Sequence, residues 1–302
     1  MNTLKANSPA IFGPMRLPFL VLTPACVLLG TATASFSGVL VNLNYLILVF
    51  VGALAAHISV NALNEYYDFK SGLDFRTQRT PFSGGSGTLP ANPEKNFLAL
   101  FTGLVALAVV ILIGLYFLYL RGLWILPLGV PGVIVVTTYT RWLTRNPFLC
   151  LVAPGLGFGP LMVMGTHFAL AGSYSWTSFL ASLVPFFLVS DLLLLNQFPD
   201  IEADNSVGRR HLLIVKGTKT GTQVYGLFLA SAYLLIILGY FSKIIPLTGF
   251  LALATITLAV PAVIGASKYR ENIPKLIPYL AMNVMINVLT PVLLAVGLFL
   301  SR

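Results

Sequence analysis

Polar side chains recur at helical spacing within an otherwise apolar segment near residue 60. His57, Asn61, Asn64 and Asp68 fall at positions i, i+4, i+7 and i+11, so a helix places them on one face. Asp74 follows a few residues later. A polar stripe of this kind is costly in apolar surroundings, and its presence therefore indicates a functional site.

A second acidic cluster follows much later in the chain. Asn196, Asp200 and Asp204 repeat the four-residue spacing, which predicts another shared helix face. The chain has nine Asp and Glu residues. All of them except Glu94 and Glu271 lie in or just before the two clusters. The acids are therefore concentrated at two places in the sequence.

The types of residue in these clusters favour a metal-bridged anion. Carboxylate and amide oxygens on two facing helices suit Mg²⁺, which typically binds through one or two carboxylates together with substrate phosphates. Lys and Arg beside each cluster would repel a bare metal ion, but they suit the oxygens of an anionic ligand. A cation transporter is the alternative from another class, and it predicts acids near the bilayer midplane on inverted or discontinuous helices.

Composition indicates an integral membrane protein. The chain of 302 residues is 57% hydrophobic and 9% charged, with a mean hydropathy of +0.88. A net charge of +9 can suit nucleic acid, but the basic residues are spread among short loops between apolar runs, so we expect no nucleic-acid partner. Cys26 and Cys150 provide neither a disulfide framework nor metal-ligand spacing.

The apolar segments predict an all-α polytopic membrane protein with about nine transmembrane helices around a central cavity. Each segment approaches the roughly 20 residues needed to cross a bilayer. We expect one domain over residues 1–302, with a weak parallel repeat whose motifs lie near 61–74 and 196–204. The predicted spans are 17–37, 43–67, 97–120, 123–140, 148–171, 176–198, 222–241, 245–266 and 275–300.

The distribution of Lys and Arg predicts the orientation of these spans. Fifteen of the eighteen basic residues fall at the N-terminus or in loops on its side of the nine-span arrangement. The positive-inside rule then places the N-terminus in the cytoplasm. The second and sixth spans both run toward the cytoplasm, so both acidic clusters are expected at that face of the membrane.

Three stretches resemble the UbiA superfamily of intramembrane prenyltransferases. They are Asn64-Glu-Tyr-Tyr-Asp68 with Gly72-Leu-Asp74, the run from Gly157 to Thr166, and Asn196 through Asp204 followed by Gly208-Arg. Within the superfamily, the sequence is most similar to the 1,4-dihydroxy-2-naphthoate prenyltransferase branch of menaquinone biosynthesis. The resemblance covers nearly the whole chain.

This resemblance implies an Mg²⁺-dependent transfer of a polyprenyl group from a polyprenyl diphosphate to an aromatic acceptor. The acceptor in that branch is 1,4-dihydroxy-2-naphthoate and the product is demethylmenaquinone. The enzyme would sit among the lipids of the inner (cytoplasmic) membrane, with its active site facing the cytoplasm. A different acceptor, such as hydroxybenzoate or homogentisate, is an alternative within the superfamily. The metal ligands implied are Asn64, Asp68, Asp74, Asn196, Asp200 and Asp204.

Further residues receive roles from the same resemblance. Basic groups would neutralise the leaving pyrophosphate, and tyrosine faces would stabilise the allylic cation. The residues assigned to catalysis are Asp68, Asp200, Lys70, Arg79 and Lys216. Those assigned to substrate binding are Asn61, Arg76, Tyr67, Tyr139, Arg141, Arg145 and Arg210.

Some residues near the clusters keep two interpretations. Glu65, Asp191 and Glu202 lie off the polar stripes and either support the site or are simply hydrated. The loop from Ser83 to Gly87 lacks the Lys-Ser/Thr ending of a P-loop, which favours a lid or a turn over a phosphate cradle.

Overall fold

The computed structural model describes residues 12–302, so Lys5, which contributes to the charge pattern, lies outside the described part of the chain. Within residues 12–302 the regular structure is entirely helical, which confirms the predicted all-α class. Eight helices in this range are long and apolar enough to cross a membrane, and a shorter apolar helix lies among them. The protein is therefore an integral membrane protein.

We number these nine helices α1 to α9 in chain order. The shorter helix is α4, which contains Pro131. The bounds are α1 Phe12–Phe36, α2 Leu43–Ser71, α3 Pro93–Arg121, α4 Leu123–Thr138, α5 Pro147–Ala171, α6 Trp176–Asn196, α7 Leu212–Phe241, α8 Leu247–Tyr269 and α9 Ile273–Leu300. Most bounds agree with the predicted spans to within a few residues. The exception is α7, which starts ten residues before the predicted 222 and has a kink at Gly217, where φ is 80° and ψ is 166°. Lys216 therefore lies on a short helical segment that ends at this kink, and not in a loop.

The helix that carries the first polar stripe is capped at both ends. Asn42 precedes α2, and its side chain accepts hydrogen bonds from two backbone N–H groups of the first turn. Gly72 ends the helix in the left-handed conformation, with φ of 78°. The chain then forms a 3₁₀ turn, Leu73–Phe75, which turns Asp74 back toward α2. These local features fix where the first acidic cluster lies.

The second acidic cluster differs from the prediction of one shared helix face. Helix α6 ends at Asn196, and a four-residue turn separates it from the short helix Ile201–Ser206. Pro199 accounts for the break, because proline lacks a backbone N–H and disfavours helical geometry at the preceding residue. Asp200 therefore stands at the start of the short helix, and Asp204 lies one turn further on.

The main apolar core lies among α1, α6, α7, α8 and α9. Its fully buried side chains include Leu29, Leu188, Ile236 and Leu294. A smaller cluster joins α2 and α3 around Val49 and the neighbouring helices. The helices α2 to α6 contribute walls to a large cavity beside the main core.

Helix α6 is held against α5 by a close backbone approach. A Cβ atom on Gly155 would lie 2.0 Å from the carbonyl oxygen of Phe186, and one on Gly159 would lie 2.5 Å from the carbonyl oxygen of Ser182. Small residues allow such approaches between membrane helices. This contact sets the position of α6, and therefore of Asn196 at its end.

We predict that Gly155→Ala lowers the thermal stability of the purified protein. The added methyl group meets backbone atoms, which cannot rotate away, and overpacking of this kind typically costs about 1–3 kcal/mol. Gly226→Ala is the matched control, since its Cβ would meet only Val263 Cγ1 at 3.5 Å. The apparent melting temperature should fall in Gly155→Ala alone, and equal values in the two variants would contradict the close approach.

Candidate active site

A cavity of about 400 Å³ is lined by residues of the six helices α1 to α6. Its body is apolar and is lined by side chains such as Val49, Phe117, Leu128 and Leu161. One end of the cavity is polar and contains residues of both acidic clusters. The cavity thus combines an apolar compartment with a charged end.

The polar stripe predicted on α2 faces this cavity. His57, Asn61, Asn64 and Asp68 all lie on its wall, as their helical spacing predicts. Asn61 Nδ2 donates to the backbone oxygen of Met15 at 3.0 Å. This bond joins the stripe to the start of α1. The stripe therefore runs from the apolar body of the cavity to its acidic end.

The second cluster reaches the same end of the cavity from α6. Asn196, Asp200 and Asp204 all lie on the wall, although the helix is interrupted between the first two. Asp74 joins them from the turn after α2. Two motifs that are distant in sequence therefore converge on one site.

Arg209 connects the two clusters directly. One terminal nitrogen contacts Asp68 Oδ1, and the other donates to Asp204 Oδ1 at 2.8 Å. His211 Nε2 lies 3.2 Å from the other oxygen of Asp204. Burial opposes ionisation of Asp204, but its contacts with His211 and Arg209 hold its pKa below the usual range. One buried guanidinium thus compensates carboxylates of both motifs.

Three buried oxygen atoms at this end of the cavity have no hydrogen-bond donor. They belong to Asp74 (Oδ2), Asn196 (Oδ1) and Asp200 (Oδ1). Asp200 also makes no capping bond to the short helix that follows it. Buried polar atoms are rarely left without partners, and oxygens of these types are the ligands that Mg²⁺ prefers. The orphaned oxygens therefore fit a divalent cation.

Burial and mutual repulsion make two of these acids difficult to ionise. Burial, assisted by the charge of Glu65, raises the pKa of Asp74 to about 7. Burial and the charge of Asp204 likewise raise the pKa of Asp200 to about 7. The charged forms therefore need additional positive charge nearby. Within residues 12–302, no three side chains of His, Cys, Asp or Glu are close enough to bind a metal ion by themselves.

None of the seven basic residues assigned to the site from the sequence is among the residues that line the cavity. Arg76 donates to Ser206, on the short helix after α6. Lys70 lies over the ring of Tyr66. Arg79 is exposed, although its charge favours ionisation of Asp74. The remaining members of this group are also exposed, namely Arg141, Arg145, Arg210 and Lys216.

The two tyrosines assigned to substrate binding differ in position. Tyr139 lies on the cavity wall close to the polar end, where it is only partly buried. Tyr67 is not among the lining residues, and the guanidinium of Arg141 lies 5.4 Å from its ring centre. Of the two, the structure brings only Tyr139 to the cavity.

Sequence reasoning assigned no site role to two cavity-lining arginines, Arg16 and Arg209. Both are among the basic residues that predict the orientation, and Arg209 also belongs to a stretch that resembles the superfamily. Arg16 Nε donates to Glu65 Oε1 at 2.8 Å, and Glu65 is fully buried, so this carboxylate is bonded within the protein and is not hydrated. The sequence did contain one indication that Arg209 belongs to the site, because this residue directly follows Gly208 and lies close to the second acidic cluster.

Comparisons with known proteins agree with this architecture. The UbiA prenyltransferase family matches residues 21–287. A 1,4-dihydroxy-2-naphthoate octaprenyltransferase of Bacillus subtilis (strain 168) is 31% identical over 214 residues, which cover 70% of this chain and 67% of that protein. The predicted resemblance to the superfamily and to its naphthoate branch is thereby confirmed.

Solved structures share the fold at low sequence identity. A UbiA homologue from Aeropyrum pernix K1 superposes with a TM-score of 0.70 at 17% identity, covering 92% of this chain and 97% of that one. A homologue from Archaeoglobus fulgidus bound to DMAPP and Mg²⁺ gives a TM-score of 0.59 at 12% identity, covering 95% and 99%. Because the family model covers most of the chain and the Bacillus subtilis relative is 31% identical, this chain is a prenyltransferase and belongs to the UbiA prenyltransferase family.

Proposed function

We propose that this enzyme transfers a polyprenyl group from an allylic polyprenyl diphosphate to 1,4-dihydroxy-2-naphthoate, with Mg²⁺ as cofactor. The observation that carries the proposal is the convergence of both acidic motifs, with Arg209 between them, at the end of one apolar cavity. The acceptor is proposed from the Bacillus subtilis relative, whose name specifies that substrate. The product would be demethylmenaquinol, the hydroquinone form, because prenylation of the ring with loss of its carboxylate as CO₂ does not change the oxidation state of the ring.

The residues at the polar end are suited to hold Mg²⁺ together with a diphosphate. Mg²⁺ commonly takes one or two carboxylates and completes its coordination with substrate phosphates and water. The unpartnered oxygens of Asp74, Asn196 and Asp200 fit this requirement. Asn64, Asp68 and Asp204 would supply the remaining protein ligands. When bound, the metal would neutralise charge on the diphosphate.

Cationic side chains would assist departure of the pyrophosphate. The allylic C–O bond breaks, and its electron pair remains on the pyrophosphate oxygen. Arg209 lines the polar end of the cavity, where this negative charge develops. A positioned guanidinium stabilises such charge more effectively in a cavity shielded from water than in bulk solvent. Arg209 thus favours ionisation over return of the leaving group, whereas Arg16, which lines the same end, would hold the diphosphate.

The apolar body of the cavity would receive the prenyl chain. Side chains from α2, α3, α4 and α5 form its walls, and they exclude competing nucleophiles such as water. Tyr139 lies where its ring can stabilise the allylic cation, an interaction worth up to about 2 kcal/mol when desolvated. The electron-rich ring of the acceptor then attacks the cation through the carbon that carries the carboxylate. The new carbon–carbon bond forms, and the carboxylate leaves as CO₂, which returns its electron pair to the ring and restores aromaticity.

The orientation of the active site is part of the proposal. The basic loops after α2 and α6 adjoin the polar end of the cavity, and positive loops favour the cytoplasm. We therefore place the site at the cytoplasmic face of the cytoplasmic membrane, within one domain that spans the chain.

We predict that Asp68→Asn and Asp200→Asn each reduce Mg²⁺-dependent pyrophosphate release at least about 100-fold, because several kcal/mol of charge stabilisation is lost and each 1.36 kcal/mol is worth a factor of ten. The protein should be measured in reconstituted vesicles. Glu94→Gln, at an exposed position away from the cavity, is the matched control. Wild-type rates in either Asp variant would remove the proposed metal role.

The acceptor is tested by product analysis. Membranes containing the enzyme should be incubated with a labelled polyprenyl diphosphate and, separately, 1,4-dihydroxy-2-naphthoate, 4-hydroxybenzoate and homogentisate. We expect a prenylated product, identified by mass, with the naphthoate alone. A product formed only with hydroxybenzoate or homogentisate would contradict the assigned acceptor.

Cysteine labelling tests the orientation. The native Cys26 and Cys150 are buried, which gives a low background. A cysteine at exposed Gln78 should react with a membrane-impermeant maleimide in inside-out vesicles but not in intact cells. A cysteine at exposed Ser242, between α7 and α8, should show the opposite pattern. Reversal of the two patterns would place the active site on the other face.

A further inference from the structure

Glu65 is a buried carboxylate whose position the proposed reaction does not explain. It follows Asn64 on α2 and has no exposed surface, yet it is not among the residues that line the cavity. Its Oε1 accepts hydrogen bonds from Arg16 Nε at 2.8 Å and from the backbone N–H of Ser86 at 2.7 Å. Its Oε2 accepts from the Ser86 hydroxyl at 3.0 Å. Protein donors therefore occupy this carboxylate.

The loop that Glu65 holds forms part of the cavity wall. We call residues 83–87 the glycine loop. Ser83, Gly84 and Gly85 face the cavity. Gly85 has φ of 72°, and a Cβ atom there would lie 3.1 Å from Asp74 Oδ1 and 3.2 Å from Glu65 Oε1. The backbone therefore passes directly against two acids, which requires glycine.

The other partner of Glu65 also faces the polar end. Arg16 lines the cavity, and its charge favours ionisation of Asp74 and Asp200. A guanidinium bonded through Nε keeps its remaining four N–H donors on the two terminal nitrogens. The bond to Glu65 therefore fixes the plane of the Arg16 side chain while leaving the terminal nitrogens at its cavity end.

One carboxylate thus ties three separate segments together, namely the start of α1, the end of α2 and the glycine loop. All three segments contribute residues to the wall of the cavity. Hydrogen bonds to charged groups are stronger than neutral ones, and removal of a partner from a buried charge is costly. Loss of the Glu65 charge should therefore release both Arg16 and the loop, while the metal ligands themselves remain in place.

We propose that Glu65 is a positioning residue for the diphosphate: it orients Arg16 and fixes the glycine loop so that both contact the oxygens of the prenyl diphosphate. This inference rests on the proposed function. Arg16 and the loop contact the same oxygens before and during ionisation. Their loss therefore weakens substrate binding more than it slows the chemical step.

The test compares Glu65→Gln and Ser86→Ala with the matched control Glu94→Gln in reconstituted vesicles. Glu65→Gln keeps the shape of the side chain and removes its charge. It should raise KM for the prenyl diphosphate roughly 10- to 100-fold, the size expected for lost hydrogen bonds to a charged group, with kcat changed less than about threefold. Ser86→Ala removes only the hydroxyl bond and should raise KM by a smaller factor.

Hydrogen exchange of the backbone provides a readout that does not depend on turnover. The amides of residues 86 and 87 should exchange roughly tenfold faster in Glu65→Gln than in the control, because a charged acceptor has been replaced by a neutral one. If Glu65→Gln fails to fold, Ser86→Ala carries the test, since Ser86 is exposed. A KM equal to that of the control in the folded variants, or unchanged loop exchange, overturns the inference.

Failure of the proposed function is distinguishable from failure of this inference. If wild-type enzyme releases no pyrophosphate from a polyprenyl diphosphate, the proposed function is wrong, whatever the variants do. If the wild type is active and Glu65→Gln matches Glu94→Gln in both KM and exchange, only the role of Glu65 is wrong.

Discussion

Crowding of buried carboxylates is the constraint on which the rest of this structure depends. Asp68, Asp74, Asp200 and Asp204 meet at one end of an apolar cavity. Like charges at short range and low dielectric repel one another strongly, and burial adds a desolvation cost. Arg209 relieves part of this repulsion by pairing with one carboxylate of each motif. The oxygens that remain without donors belong to groups that divalent cations bind.

The fold separates the two tasks of the cavity. Its apolar body comes from the loosely filled space among α2 to α5, whereas the packed core among α1 and α6 to α9 fixes α6 in place. The close approach of α5 to α6 at its glycines then sets the position of Asn196, the last residue of α6. A prenyl diphosphate has the same division into an apolar tail and an anionic head. The match between ligand and cavity thus follows from helix packing.

The sequence predicted those features that depend on local periodicity and composition. Helical spacing placed His57, Asn61, Asn64 and Asp68 on one face, and hydropathy located the membrane helices. The break at Pro199 was missed because the spacing of Asn196, Asp200 and Asp204 also suits a continuous helix. Both arrangements bring these three residues to the cavity, so the error did not alter the predicted cluster.

Pairing between distant segments was the part that the sequence did not reveal. A basic residue near a membrane surface can set the orientation of the protein or bind a ligand, and composition does not distinguish the two roles. Only tertiary contacts separate Arg209 and Arg16, which line the cavity, from the exposed Arg145 and Arg210. Glu65 was similarly ambiguous, because its partners lie 49 and 21 positions away. The sequence motifs by themselves did not exclude a cation transporter. The match to the UbiA prenyltransferase family does exclude it.

Binding of Mn²⁺, a paramagnetic substitute for Mg²⁺, tests most directly whether the two motifs hold one metal-bridged diphosphate. Electron paramagnetic resonance should be recorded with a non-ionising prenyl thiodiphosphate analogue present and absent. We predict tight Mn²⁺ binding by the wild type only when the analogue is present, and its loss in both Asp68→Asn and Asp200→Asn. Equal Mn²⁺ binding without the analogue, or in either variant, would contradict the shared site.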